Sequence, residues 1–147
     1  MGINANWTLD AVWGGGPLGS HYYLSHKTGV YHIDRNDRRA DEMLTLADFG
    51  VKWDRVDAAF TSVKNGNRVF FIKGRQYTTW NIDTKTNEGI GHMYGWNFPW
   101  AWDSIDAALR IDWWYPSNYI FFFKGPYYVV FNEDTETVSS ILSLTNF

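Results

Sequence analysis

Three aspartates recur in this chain at a spacing that invites a chemical reading. Asp10, Asp57 and Asp106 each stand in a short stretch of the same kind: Leu9-Asp10-Ala11-Val12-Trp13, Val56-Asp57-Ala58-Ala59-Phe60 and Ile105-Asp106-Ala107-Ala108-Leu109. Successive copies lie 47 and 49 residues apart. The three could be read as a carboxylate cluster, but recurrence in every repeat favours a structural side chain, hydrogen-bonding the first strand and its entry turn. A second repeated pair, Asp54 and Asp103, each following a Trp, could serve glycoside hydrolysis only if the fold brought the two carboxyls together. Nothing in their spacing requires that, and they read as turn caps before a strand.

The remaining chemistry-bearing types are fewer. His21, His26 and His32 fall in the first repeat and His92 in the second; they read as surface or turn histidines, with His26 and His32 straddling a short hairpin. There is no cysteine, which removes disulfides, thiolate metal sites and Cys–His nucleophiles. Trp13-Gly14-Gly15-Gly16-Pro17-Leu18-Gly19 lacks the Lys-Ser/Thr of a phosphate loop. Aromatic residues make up 19% of the sequence, with nine Trp. Trp96, Asn97 and Trp100, and then Trp113, Trp114 and Tyr115, lie in loop-like segments outside the repeated pattern. Trp faces in loops stack on sugar rings or cationic amines while nearby polar groups orient the ligand. These six are the candidate ligand-binding residues; filling gaps between sheets is the alternative role.

Local patterning supplies the framework around these groups. Downstream of each Asp-Ala stretch comes a hairpin dense in β-branched and aromatic residues. Arg68 to Gly74 leads into Gln76 to Asp83, and Tyr119 to Gly125 into Tyr127 to Asp134; His21 to Gly29 followed by Val30 to Asp34 is the loosest copy. Beyond the hairpins the repeats diverge. Ala40 to Phe49 has apolar residues at roughly helical spacing and ends at Gly50, a suitable C-cap. Gly89 to Trp102 reads as a strand plus irregular loop, and Thr137 to Leu144 alternates like an outer strand. Self-similarity at this period signals a solenoid, propeller or array. About four short strands per repeat match one propeller blade, with the Asp-Ala stretch its first strand and the alanines at the narrow centre.

At 147 residues the chain is sized for a single domain, 1–147, with repeats over about 7–52, 53–101 and 102–147. A net charge of −3 argues against nucleic acid or an anionic membrane as partner. No apolar run approaches the ~18 residues of a membrane span. With no visible signal peptide, the expectation is a soluble, cytoplasmic protein.

The repeats resemble the hemopexin-repeat family, in which Asp-Ala-Ala-Phe precedes an aromatic strand ending Phe-Phe-Lys-Gly and a Tyr-rich strand closing on Asp. Val56 to Asp83 and Ile105 to Asp134 carry that likeness well, and Leu9 to Asp34 moderately. The resemblance implies an all-β fold, a propeller of four-stranded blades, three in this chain. It also implies a central tunnel where carbonyls of Asp10, Asp57 and Asp106, and main-chain groups of Val12, Ala59 and Ala108, hold ions. Oxygen ligands on an axis suit Ca²⁺ or Na⁺, with chloride beside them. Haem is not expected, since the family's haem carrier holds it between two propellers. The family's ring has four blades and, in animal members, a disulfide closure that this chain cannot make. Either three blades close, or a fourth is too degenerate to read, or blade faces pair between chains; the open aromatic faces favour a homo-oligomer.

The functional expectation is a non-enzymatic binding or interaction module, with a glycan or other small ligand at the loop aromatics. A tunnel binder of cations, polyamines or haem is the alternative, and a self-associating structural domain the third possibility.

Overall fold

The computed structural model describes residues 8–14, 19, 21–62, 64, 67–110 and 119–146. These residues form three antiparallel sheets, and no α-helix occurs among them. The first sheet is β1 (Ala11–Gly14), β2 (His21–His26), β3 (Gly29–Asp34) and β4 (Arg39–Thr45). The second is β5 (Ala58–Thr61), β6 (Arg68–Lys73), β7 (Gln76–Asn81) and β8 (Thr86–His92). The third is β9 (Ala107–Arg110), β10 (Tyr119–Lys124) and β11 (Tyr127–Asn132), edged by the short strands β12 (Thr137–Val138) and β13 (Leu142–Ser143). Strand order within each sheet follows chain order, as expected of hairpin-linked neighbours.

The Asp-Ala stretch does begin each first strand. In all three repeats the Asp side chain ties that strand to the following hairpin turn. Asp10 Oδ2 accepts from the Lys27 N–H at 2.6 Å, Asp57 Oδ2 from Gly74 at 2.7 Å and Asp106 Oδ2 from Gly125 at 2.7 Å. The turn residues Lys27, Gly74 and Gly125 all have positive φ. The carboxylate therefore fixes a left-handed turn residue in place, which explains why Asp recurs.

The regions in which the repeats diverge in sequence converge in structure. The helical expectation for Ala40 to Phe49 does not hold beyond its end: residues 39–45 pair with β3, and only Leu46–Phe49 turns, as a single 3₁₀ turn closed by Gly50 at φ 67°. Hydrogen bonding to the open edge of β3 outweighs a weak helical periodicity. The same outer strand followed by a 3₁₀ turn returns at β8 and Met93–Trp96, and at β13 and Leu144–Asn146. Thr137 to Leu144 is not one outer strand but two short ones.

The core is split into two seams. Between the first and second sheets lie Ala11, Trp13, Val30, Leu46, Phe49, Ala59, Val69 and Phe71. Between the second and third lie Ala58, Phe60, Ile72, Met93, Trp96, Ile120, Phe122, Val129 and Phe131. Strand alternation produces this division directly: Ala58 and Phe60 point one way from β5 and Ala59 the other. A buried hydrogen bond from Ser62 Oγ to Glu133 Oε2, 2.5 Å, crosses the second seam. Asn87 Nδ2 donates to the Phe49 carbonyl across the first, 3.1 Å.

Candidate functional site

Two places gather the residues singled out from sequence. The first lies along the opening strand of each sheet. β1, β5 and β9 lie side by side, and each is bonded to its own sheet on one edge only. The hollow they share, about 270 Å³, is lined by Leu9 to Val12, Asp57 to Ala59 and Asp106 to Ala108. The six residues expected to hold ions, Asp10, Val12, Ala59, Ala108, Asp57 and Asp106, are thus brought together. An edge strand has main-chain groups without a ladder partner, and oxygens of that kind suit a hard cation. The carboxylates themselves are engaged elsewhere: Arg55 pairs with Asp10 at 2.5 Å, and Lys73 and Lys124 stand 3.9 and 3.7 Å from Asp57 and Asp106. Among the described residues, no group of three or more His, Asp or Glu side chains is arranged to hold a metal.

Burial raises the Asp10 pKa, but the Arg55 hydrogen bond, the Lys27 N–H and the charges of Arg55 and His26 outweigh it and hold the carboxyl below its ordinary value. A carboxylate depressed in the folded state contributes stability above its unfolded pKa and loses it as the pH falls through the folded one. Thermal melts of Arg55→Gln should therefore show a deficit near neutral pH that shrinks toward zero below about pH 4. Arg55 is half exposed, so the deficit is small and salt-dependent.

The second place is an aromatic rim on the second sheet. The Arg75 guanidinium lies 4.8 Å above the Tyr94 ring and donates to the carbonyls of Trp102 (2.7 Å) and Pro99 (3.1 Å). Phe98 and Trp102 are buried and meet edge to face at 5.8 Å. With both ends of this turn pinned, Trp100 between them is 85% exposed, and Tyr94 is 60% exposed. Asn97 is exposed and takes φ 55°, ending the 3₁₀ turn as Gly50 does in the first repeat.

Trp96 does not share the exposure of Trp100. It is 5% exposed and sandwiched between Tyr77 at 4.5 Å and Phe131 at 4.3 Å, so both ring faces are taken by the second seam. Trp113, Trp114 and Tyr115 lie outside the described residues. Tyr94 and Arg75 were missed from sequence, because neither signals exposure or pairing until the turn folds back. Asp54 and Asp103 are both exposed. His32, expected at the surface, is buried; its Nε2 meets His21 Nδ1 at 2.8 Å, since it sits on the same inward face of β3 as Val30.

No protein-family model and no curated protein matches the sequence. Solved structures do match. A hemopexin-fold protein, CP4, from cow pea is 23% identical with a TM-score of 0.72, over 94% of this chain and 68% of that one. A plant albumin from Cicer arietinum showing hemagglutination is 17% identical with a TM-score of 0.73, over 95% and 68%. A plant lectin with two metal binding sites, also from Cicer arietinum, is 21% identical with a TM-score of 0.67, over 84% and 60%.

The fold is hemopexin-like. At these identities the likeness is one of fold, and the chain spans between 60% and 68% of the length of those three proteins. The hollow along β1, β5 and β9 is built from residues repeated in every sheet, and the Trp100 rim is not. No helix among the described residues is long and apolar enough to cross a membrane.

Proposed function

We propose that this chain is a non-enzymatic binding module whose sheets are blades of a hemopexin-type propeller, and that it recognises carbohydrate through the Trp100 rim. The observation that carries this reading is the exposure of Trp100 between two buried aromatic anchors. Leaving a Trp ring in water forgoes the stabilisation that burying so large a side chain brings. A rigid turn that holds one outward, beside exposed Tyr94 and Asn97, presents a flat apolar face with polar groups at its edge. Sugar rings offer the matching surface, an apolar face bordered by hydroxyls. Hemagglutination by a protein of similar fold supports the same class of ligand.

A second reading rests on the hollow, where three edge strands converge on residues repeated in every sheet. It takes a hard cation on main-chain oxygens, Ca²⁺ or Na⁺, as a structural ion. A structural neighbour described as having two metal sites supports it.

The test is a glycan array followed by titration of the best hit, run in calcium and in chelator. Trp100→Ala is expected to weaken the hit roughly tenfold with the melting temperature unchanged. Chelation is expected to lower thermal stability rather than remove the sugar site. No binding by the parent chain to any glycan would reject the carbohydrate reading, and melts indifferent to both cations would reject the second.

A further inference from the structure

Each built seam has a polarity. The second sheet meets the third through Ala58, Phe60, Phe70 and Ile72, its forward face, and meets the first through Ala59, Val69 and Phe71, its backward face. Strand register carries these positions from sheet to sheet. Phe60 pairs with Phe70 as Leu109 does with Phe121, and Ala58 with Ile72 as Ala107 does with Phe123. Likewise Ala59 pairs with Phe71 as Val12 does with Leu24.

The forward face of the third sheet and the backward face of the first are therefore made of the same residue classes as the two seams, yet among the described residues Leu109 and Val12 on them are exposed where their counterparts in the second sheet are buried. Leu109 is 50% exposed where Phe60 is 2%, and Val12 is 48% exposed where Ala59 is 2%. Beside Leu109, Phe121 pairs with it across the strands and stacks on Phe123 at 6.4 Å. Around Val12, an apolar row runs across the whole first sheet through Leu24 and Tyr31 to Met43, which is 63% exposed.

We propose that these two faces are the halves of one further seam, formed between copies of this chain: the third sheet of one copy packs on the first sheet of the next, head to tail. A second copy is the occupant because it supplies a backward face of the kind that both internal seams place against a forward one. A two-fold dimer would set forward on forward or backward on backward, a match that neither internal seam uses. A head-to-tail contact closes into a ring if its rotation allows and otherwise continues as a filament. The inference is independent of the ligand at Trp100.

Light scattering across the micromolar range is expected to show a mass at least about twice the 17.1 kDa of the chain. Val12→Glu and Leu109→Glu, each at a half-exposed position, should give monomers when separate. Mixed in equal amounts they should give a dimer, because each keeps the face that the other lacks. Assembly of either variant alone would overturn the head-to-tail arrangement, and a monomeric parent chain at high concentration would overturn the seam. The absence of cysteine permits a second measurement that does not depend on the Glu variants folding. Val12→Cys mixed with Leu109→Cys should form a heterodimeric disulfide on oxidation, well above either homodimer; equal yields of all three would count against it.

Discussion

Trp96→Ala is expected to lower the stability of this protein by about 3–5 kcal/mol, while Trp100→Ala leaves it unchanged. The two residues belong to the same stretch, Trp96-Asn97-Phe98-Pro99-Trp100, and differ only in what surrounds them. Trp96 fills the second seam between Tyr77 and Phe131, with Phe122 6.3 Å away. Its removal would leave a cavity walled by aromatic rings from two sheets, and large flat rings are poorly able to collapse into such a space. Trp100 has little contact to lose, being 85% exposed. Denaturant melts measure both outcomes. The Trp96 variant is expected to shift the midpoint far to lower denaturant, with near-ultraviolet circular dichroism losing its aromatic signal at the same point. A mild effect at Trp96 would mean that the second seam tolerates a void, contrary to its packing.

Gly50→Ala is expected to cost about 2–4 kcal/mol, from two sources that a control can separate. Gly50 ends the first 3₁₀ turn in the left-handed region, φ 67°, where a side chain is strained. A Cβ built there would also lie 2.4 Å from the Cβ of Asn87. Asn87 cannot simply move aside, because its amide donates to the Phe49 carbonyl across the first seam and its Oδ1 accepts from Thr78 Oγ1. Gly125 has a similar φ, 54°, with nothing within 4 Å of a built Cβ. Gly125→Ala therefore reports the backbone strain alone, about 1–2 kcal/mol. The excess at Gly50 measures the clash with Asn87, and equal losses at the two positions would show that Asn87 yields at no cost.

Both results bear on function through geometry. The Trp100 rim depends on the turn anchored by Phe98 and Trp102, both part of the second seam. Loosening that seam should cost ligand affinity as well as stability, whereas the Gly50 change, in the other seam, should leave the rim in place.

Local sequence specifies some elements of this fold and not others. The Asp-Ala strands and the hairpins after them stand out because strand patterning and turn chemistry are local: alternation, aromatic density and a glycine or lysine at the left-handed turn position lie within a few residues of each other. The carboxylate of Asp57 reaches the Gly74 N–H across such a hairpin, and its recurrence at Asp10 and Asp106 marked a structural role for the side chain in advance. The outer strand and 3₁₀ turn that close each sheet were obscured. Their residues differ among repeats, and what they share, an apolar pair such as Leu46 and Phe49 or Met93 and Trp96, has meaning only against the neighbouring sheet.

Three repeats, their strand-rich hairpins and an Asp at the head of each first strand follow from local pattern. Those features rest on hydrogen bonds and dihedral preferences within one repeat. Packing between strands and sheets puts Trp96 in the core and Trp100 at the surface, brings Arg75 over Tyr94 and turns His32 inward to meet His21. Burial is a property of what packs opposite a side chain, and Trp96 is closed in by Tyr77 of its own sheet together with Phe131 of the next, which no local pattern brings to it.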